Sequence, residues 1–384
     1  MPYQQRYQTF LPLAALVPPQ LNSVFAEQAG TRHQQMINNI QILRAYAAIS
    51  VVMLHIAYPL IFGIAVGNFG VDVFFVISGF IMAHICATNP DQFLLRRLIR
   101  IAPIYWLLTI ALFLVAMARP ELLHSTKAEF GNLVKSLLFI PYPRWDGFFA
   151  PILVRGWTLN YEIYFYGLIS VGLLFSRRYA TIIASVLLIL AKIAIEVSGA
   201  TFLRFYSRDI VLEFVFGVVV YELIRKLKKD SLSRGFLATV FAISILTLIA
   251  FERVFTIDYH RALLLGIPAV LLVATAVLLE RNSTSPAKKF GVLLGDASYM
   301  IYLTHPYVME PAQKLLSRVG GWLDPTRFAG AMLVTSAAVA AGVAVHLGLE
   351  KPILNVLKRP LARTKKAAAL KPAKVAPILV GERA

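Results

Sequence analysis

The chain has 384 residues, 58% of them hydrophobic and only 15% charged, with a mean hydropathy of +0.68. A soluble domain needs more polar surface, and the apolar residues come in long runs, so composition excludes a soluble globular protein and points to an all-α, polytopic membrane helical bundle. The formal charge of +18 is read as topology, not as a nucleic-acid footprint, because Lys and Arg gather in cytoplasmic loops, and the single cysteine, Cys86, excludes a disulfide framework and a thiolate metal cluster.

Residues 1–37 form a polar N-terminal extension, read as disordered. Its one apolar run, Phe10 to Val17, is too short to span a bilayer. Met36 stands just before the first span, and residues 1–35 read as a dispensable extension. A membrane domain follows over 38–350. Ten spans are predicted, at 42–62, 70–88, 101–118, 158–176, 180–197, 209–225, 235–252, 261–280, 291–313 and 328–349. With the N-terminus inside, 24 Lys and Arg fall in inner segments and 10 in outer ones, which places both termini in the cytoplasm. The long outer loop 119–157 carries an apolar patch, LVKSLLFIPYP, read as interfacial or re-entrant. Residues 351–384 read as a basic, disordered cytoplasmic tail with affinity for anionic lipid. No internal repeat is visible; a repeat would have favoured a transporter.

The first span, ILRAYAAISVVMLHIAYPLIF over 42–62, carries two ionisable residues, Arg44 and His55. Eleven residues bring a helix about 20° past three full turns, so both lie on one face, roughly 16 Å apart along the axis. Titratable groups at such depth are costly and mark functional sites. An interfacial anchor plus a histidine bonded between helices fits them as well. In GVDVFFVISGF (70–80), Asp72 stands at the outer start of a span, and Ser78 and Gly79 read as a packing notch. In FLLRRLIRIAPIYW (93–106), Arg96, Arg97 and Arg100 share a helix face at the cytoplasmic surface. Topological anchoring and phosphate recognition both fit them. Glu162, in GWTLNYEIYFYG, is an intramembrane carboxylate that needs a cationic partner, His55 or an Arg. In LGDASYMIYLTHP, His305 sits in the outer half of the ninth span, where Pro306 leaves a backbone carbonyl free; alone, His305 reads as a packed histidine.

In order, Arg44-x10-His55, GVDVFFVISGF, RRLIRIAPIYW, WTLNYEIYFY and LGDASYMIYLTHP resemble the membrane-bound acyltransferase family 3, over about residues 38–350. The opening IQILRAYAAISVVMLH resembles its exopolysaccharide-production acetyltransferase branch. Departures are small: Ile77 where the family often has Leu, and Thr158 where it often has Ser. Some members carry an esterase-like domain where this chain has its basic tail.

The resemblance implies an integral membrane O-acyltransferase moving acetyl from acetyl-CoA, with no metal, to hydroxyls of an exported or cell-envelope polysaccharide. The partners would be a carbohydrate acceptor, polysaccharide or lipid-linked, and the bilayer of a bacterial inner membrane. It makes His55 the essential histidine and Arg44 its motif partner, with Arg96, Arg97, Arg100 and Ser78 on the donor side. Arg44, His55, Glu162 and His305 are expected to line one cavity, with Glu162 orienting the His55 imidazole. The alternative is a transporter or flippase of a lipid-linked sugar, which would share the spans and the buried polar groups.

Overall fold

The computed structural model describes residues 38–56, 67–122, 128–144, 147–227, 231–254, 260–281 and 285–369. The expected extension over 1–37 lies outside them. Among the described residues all regular structure is helical, apart from a lone bridge between Pro143 and Phe149. The helices are α1 (38–54), α2 (Phe69–Thr88), α3 (Phe93–Ala118), α4 (Phe130–Leu137), α5 (Trp157–Phe175), α6 (Ala180–Ser198), α7 (Leu212–Ile224), α8 (Arg234–Val254), α9 (Ile267–Leu278), α10 (Pro286–Val319), α11 (Phe328–Val345) and α12 (Lys351–Ala369). Five stretches are long and apolar enough to cross a membrane: α2, α3, α6, Arg234–Glu252 and Phe328–Pro360. These make the chain a multi-pass membrane protein.

α1 is the hub of the bundle. One face, with Ile40, Leu43, Ala47 and Val51, belongs to the main core formed with α2, α3, α5, α7 and α9. The other, with Ala48 and Val52, packs against Ala297 and Ile301 of α10 and Ala331, Val334 and Ala338 of α11. A helix hydrophobic all round is one that other helices enclose. By contrast α6 leaves Ile182, Val186, Ile189, Leu190 and Ile193 exposed, and α8 leaves Ile243 and Leu246 exposed; these suit contact with lipid tails.

α2 and α7 touch backbone to backbone. A Cβ on Gly79 would stand 2.0 Å from the Phe214 carbonyl oxygen, and one on Gly217 would stand 2.1 Å from that of Val76. The notch expected at Gly79 is therefore real, and only glycine fits it. Gly79→Ala should force the helices apart and cost about 1–3 kcal/mol, the usual range for overpacking. A fall in thermal unfolding temperature in detergent checks this; an unchanged melt would contradict it.

At the other end of α2, Asp72 is wholly buried and takes a two-pronged contact from Arg261, at 2.8 Å from Nε and 2.6 Å from Nη2. Glu252 of α8 accepts from the Gly67 and Asn68 amides just ahead of α2, at the end of the helix whose amides lack partners within it. The Glu213 carboxyl of α7 is fully buried in the same group. Asp72 thus ties α2 to the chain that leads into α9 rather than serving the site below.

Two expectations change and a third gains detail. The first span does not run as one helix to 62: α1 ends at residue 54, and 57–66 lie outside the described residues. The His55 amide turns to the Val52 carbonyl, three residues back instead of four, and Pro59 has no amide to return to the His55 carbonyl. Second, residues 351–369 are helical and not disordered. α11 passes through a single wide turn, His346–Glu350, into α12, a stretch rich in the strong helix formers Ala, Leu, Lys and Arg. Residues 370–384 lie outside the described part. Third, the apolar patch of the outer loop holds a helix of eight residues, α4, pinned to α3 by Tyr105 Oη donating to the Ser136 carbonyl and Trp106 Nε1 to that of Leu137. That fits the re-entrant or interfacial reading, being too short to span.

Candidate active site

A cavity of about 260 Å³ lies between α1, α2, α3, α5 and α10, with Arg44, Ser78, Arg97, Arg100, Glu162 and Tyr166 in its wall. Arg97 and Arg100 enter from the first turns of α3, because that helix starts at Phe93 and carries the basic cluster into the bundle on the same rod as the span. Neither guanidinium has a hydrogen bond or ion pair among the described residues. Arg97 Nε and Ser298 Oγ, both in the wall, are buried and unpartnered. Buried polar atoms are nearly always paired, so these mark a place that a polar ligand completes. Arg96 lies outside the wall, which separates it from its two neighbours.

Arg44 is held, not free. Its Nη1 donates to Gln41 Oε1 at 2.9 Å, and Gln41 Nε2 donates to Asp296 Oδ1 at 2.8 Å, so α10 fixes the guanidinium through α1. Glu162 accepts from Tyr166 Oη at 3.1 Å and lies in the field of Arg44, Arg100 and Arg97. The cations whose field reaches it are therefore arginines, with no ion pair joining it to one of them among the described residues. It does not touch His55, and the expected orienting role on that imidazole is withdrawn.

His55 and His305 stand beyond the cavity, on the far side of Tyr302. Their ring centroids are 5.1 Å apart, and Tyr302, itself in the cavity wall, is 6.2 Å from His305. The four expected residues thus form two stations, not one lining. Arg44 and Glu162 are at the first; His55 and His305 are paired at the second.

Both imidazoles are fixed by the same device. Because the His55 amide has turned to Val52, the Val51 carbonyl is left over, and His55 Nδ1 lies 2.7 Å from it. Because Pro306 has no amide, the Tyr302 carbonyl is left over, and His305 Nδ1 lies 2.8 Å from it. A carbonyl only accepts, so each Nδ1 carries the hydrogen and each Nε2 keeps its lone pair. His305 Nε2 is buried without a partner. His55 Nε2 accepts from Arg155 Nη2, at 2.5 Å. The His55 carbonyl accepts from Gln313 Nε2 at 3.1 Å, which replaces the amide that Pro59 lacks.

Sequence reasoning missed Arg155 and Gln313. Arg155 was counted only as one cation of the long outer loop. The signal available was its place: the sole charge in the apolar stretch Phe148 to Trp157, two residues ahead of a helix. Gln313 had none, since a lone glutamine late in a long helix is ordinary.

The family model described as "Acyltransferase domain", that of acyltransferase family 3, matches residues 37–347. The chain belongs to this family. It is 35% identical over 298 residues to the exopolysaccharide production protein ExoZ of Rhizobium meliloti, covering 76% of this chain and 90% of that one. It is 28% identical over 369 residues to the putative peptidoglycan O-acetyltransferase YrhL of Bacillus subtilis, covering 84% of this chain and 56% of the relative. Acyltransferase MdmB of Streptomyces mycarofaciens is 25% identical over 83% of this chain and 92% of its own length. No solved structure matches. The protein is thus an acyltransferase, and its two stations suit that chemistry. An acyl transfer needs a base at the attacking hydroxyl and positive charge near the acyl oxygen. An Nε2 lone pair beside a guanidinium provides both within one contact.

Proposed function

We propose that this acyltransferase moves an acetyl group from acetyl-CoA to a hydroxyl of an exported or cell-envelope polysaccharide, in a bacterial inner membrane, through a ten-span domain with both termini cytoplasmic. What carries the reading is the pair of unpartnered guanidiniums, Arg97 and Arg100, opening into a cavity whose far end abuts two imidazoles with free or exchangeable Nε2 lone pairs. Planar guanidiniums suit phosphate oxygens, and coenzyme A brings phosphates from the cytoplasm. The printed names of the relatives, exopolysaccharide production and peptidoglycan O-acetylation, support a glycan acceptor.

In the step, the sugar hydroxyl gives its proton to His55 Nε2 as its oxygen bonds to the thioester carbonyl carbon. The carbon–sulfur bond then breaks, and the departing thiolate takes the proton. Arg155 releases Nε2 when the hydroxyl docks, and its charge stands beside the oxygen that turns negative. Arg44, held through Gln41 and Asp296, and Glu162, held by Tyr166, set the field between the stations.

The test is transfer from radiolabelled acetyl-CoA in membranes containing the full-length protein, with total glycan recovered. Label in the glycan supports the reading. If no label enters glycan while loss of the protein stops glycan export, the transporter alternative replaces it. A further expected outcome follows from the cavity wall. Arg97→Gln should raise the KM for acetyl-CoA about tenfold or more, since a hydrogen bond to a charged group contributes about 1.5–3 kcal/mol. Arg96→Gln should leave it within about twofold. Equal effects of the two would remove the donor-side assignment.

A further inference from the structure

A second cavity, of about 740 Å³, lies at the opposite end of the bundle from Arg97 and Arg100. The two ends are distinguished by an ion pair. Arg177, in the turn between α5 and α6, pairs with Asp91 just ahead of α3 at 3.0 Å, so the start of α5 and the end of α6 lie at the far end. The cavity opens there, between Gly147–Phe149 and the chain that leaves α6 through the tight turns Thr201–Ser207 and Asp209–Val211. Nothing in the mechanism above uses it.

Its wall combines ring faces with planar charged groups. Phe149 and Phe205 lie 5.9 Å apart, and Tyr161 stacks behind Phe205 at 4.0 Å. Beside them stand Glu196, Asp209 and Arg204. Lys192 holds both carboxylates from behind, contacting Glu196 and lying 2.9 Å from Asp209. Arg204 is exposed, and its guanidinium has no hydrogen bond or ion pair among the described residues. Forked acceptors and donors suit neighbouring hydroxyls, and ring faces suit the C–H face of a sugar. A lipid tail would strand the charges, and with Arg204 and Arg208 set against Glu196 and Asp209 the wall holds no single sign of charge to select a polyanion.

The cavity is joined to the reaction centre by its own wall. Phe149 is six residues before Arg155, a reach of at most about 20 Å. Between them Ala150, Ile152 and Leu153 are buried, and the Ile152 amide donates to Ser136 Oγ at 3.0 Å, so the link is a fixed strut. At its end Arg155 touches His55.

We propose that this cavity is an acceptor subsite that takes a saccharide segment of the glycan and presents a neighbouring sugar hydroxyl to His55 across the Phe149–Arg155 strut. The proposal rests on the glycan acyltransferase reading. The experiment uses full-length protein in nanodiscs, so that both faces are open, with radiolabelled acetyl-CoA and alkali-de-O-acetylated exopolysaccharide from the producing cells as probe. Arg204→Ala and Phe149→Ala, which touch no part of the catalytic stations, should each raise the glycan concentration for half-maximal transfer about tenfold, with the KM for acetyl-CoA unchanged. An unchanged glycan dependence in both variants overturns the subsite, and so does a parallel rise in both constants. If wild type transfers no label, the function reading fails by itself. Retention of fluorescently tagged glycan on the nanodisc protein then reads the subsite alone: equal retention by wild type and both variants overturns it, and loss in the variants supports it.

Discussion

Replacing His55 with alanine, at unchanged protein level in the membrane, should lower acyl transfer by roughly two to four orders of magnitude, the usual contribution of a positioned general base. The substitution removes the Nε2 lone pair and the contacts with Val51 and Arg155. It leaves the His55 carbonyl and its bond from Gln313 in place, so the backbone anchor survives. Thermal unfolding of the variant should therefore stay close to wild type while transfer is lost. Retained transfer would sink the mechanism. Loss of transfer with a collapsed melt would point to a structural histidine instead.

Arg261→Met should be the most destabilising single change at a charged residue in the bundle. It leaves Asp72, wholly buried, without the cation that contacts both its oxygens, and with the Glu213 carboxyl close by. Breaking a buried pair by removing one partner costs about 3–5 kcal/mol. Adding Asp72→Leu removes the stranded carboxylate and should recover much of that loss, because residues in one network do not add independently. Melting temperatures of the two singles and the double in detergent check this. A double variant as unstable as the sum of the singles would show that the pair is not what holds α2 to the chain leading into α9.

Much of the fold was written in apolar runs, and the start of α2, the extent of α6 and the existence of α10 follow from them closely. The end of α1 was not, because hydropathy continues to Phe62 while the hydrogen-bond ladder stops at Leu54. Pro59 was the visible warning, and it was read as part of a span. The tail was misjudged for the opposite reason. Its charge and proline content suggested disorder, whereas Ala, Leu, Lys and Arg also favour helix, and α11 provides a turn to grow from.

For the site, Pro306 announced the free carbonyl that His305 meets, while periodicity set Arg44 and His55 on one helix face and α1 stops before His55. Periodicity could not divide that face into two stations, because the divider, Tyr302, is an ordinary aromatic in sequence. It could not set Glu162 in the field of arginines and away from His55, since depth along a span does not say which neighbour a side chain faces. Arg96, Arg97 and Arg100 share a helix face in projection, yet only two of them reach the cavity. That distinction depends on what packs against α3.

The early end of α1 also sets a field. Peptide dipoles along a helix add, leaving about half a negative elementary charge at its C-terminus. In α1 that pole sits at Leu54, which is half-buried, with His55 and the Arg155 guanidinium beside it. A helix continued to residue 62 would have carried the pole to the membrane surface, where water screens it. Stopped at Leu54, it favours positive charge at the His55 ring, by about 0.3–1 kcal/mol and up to about 2 where partly buried.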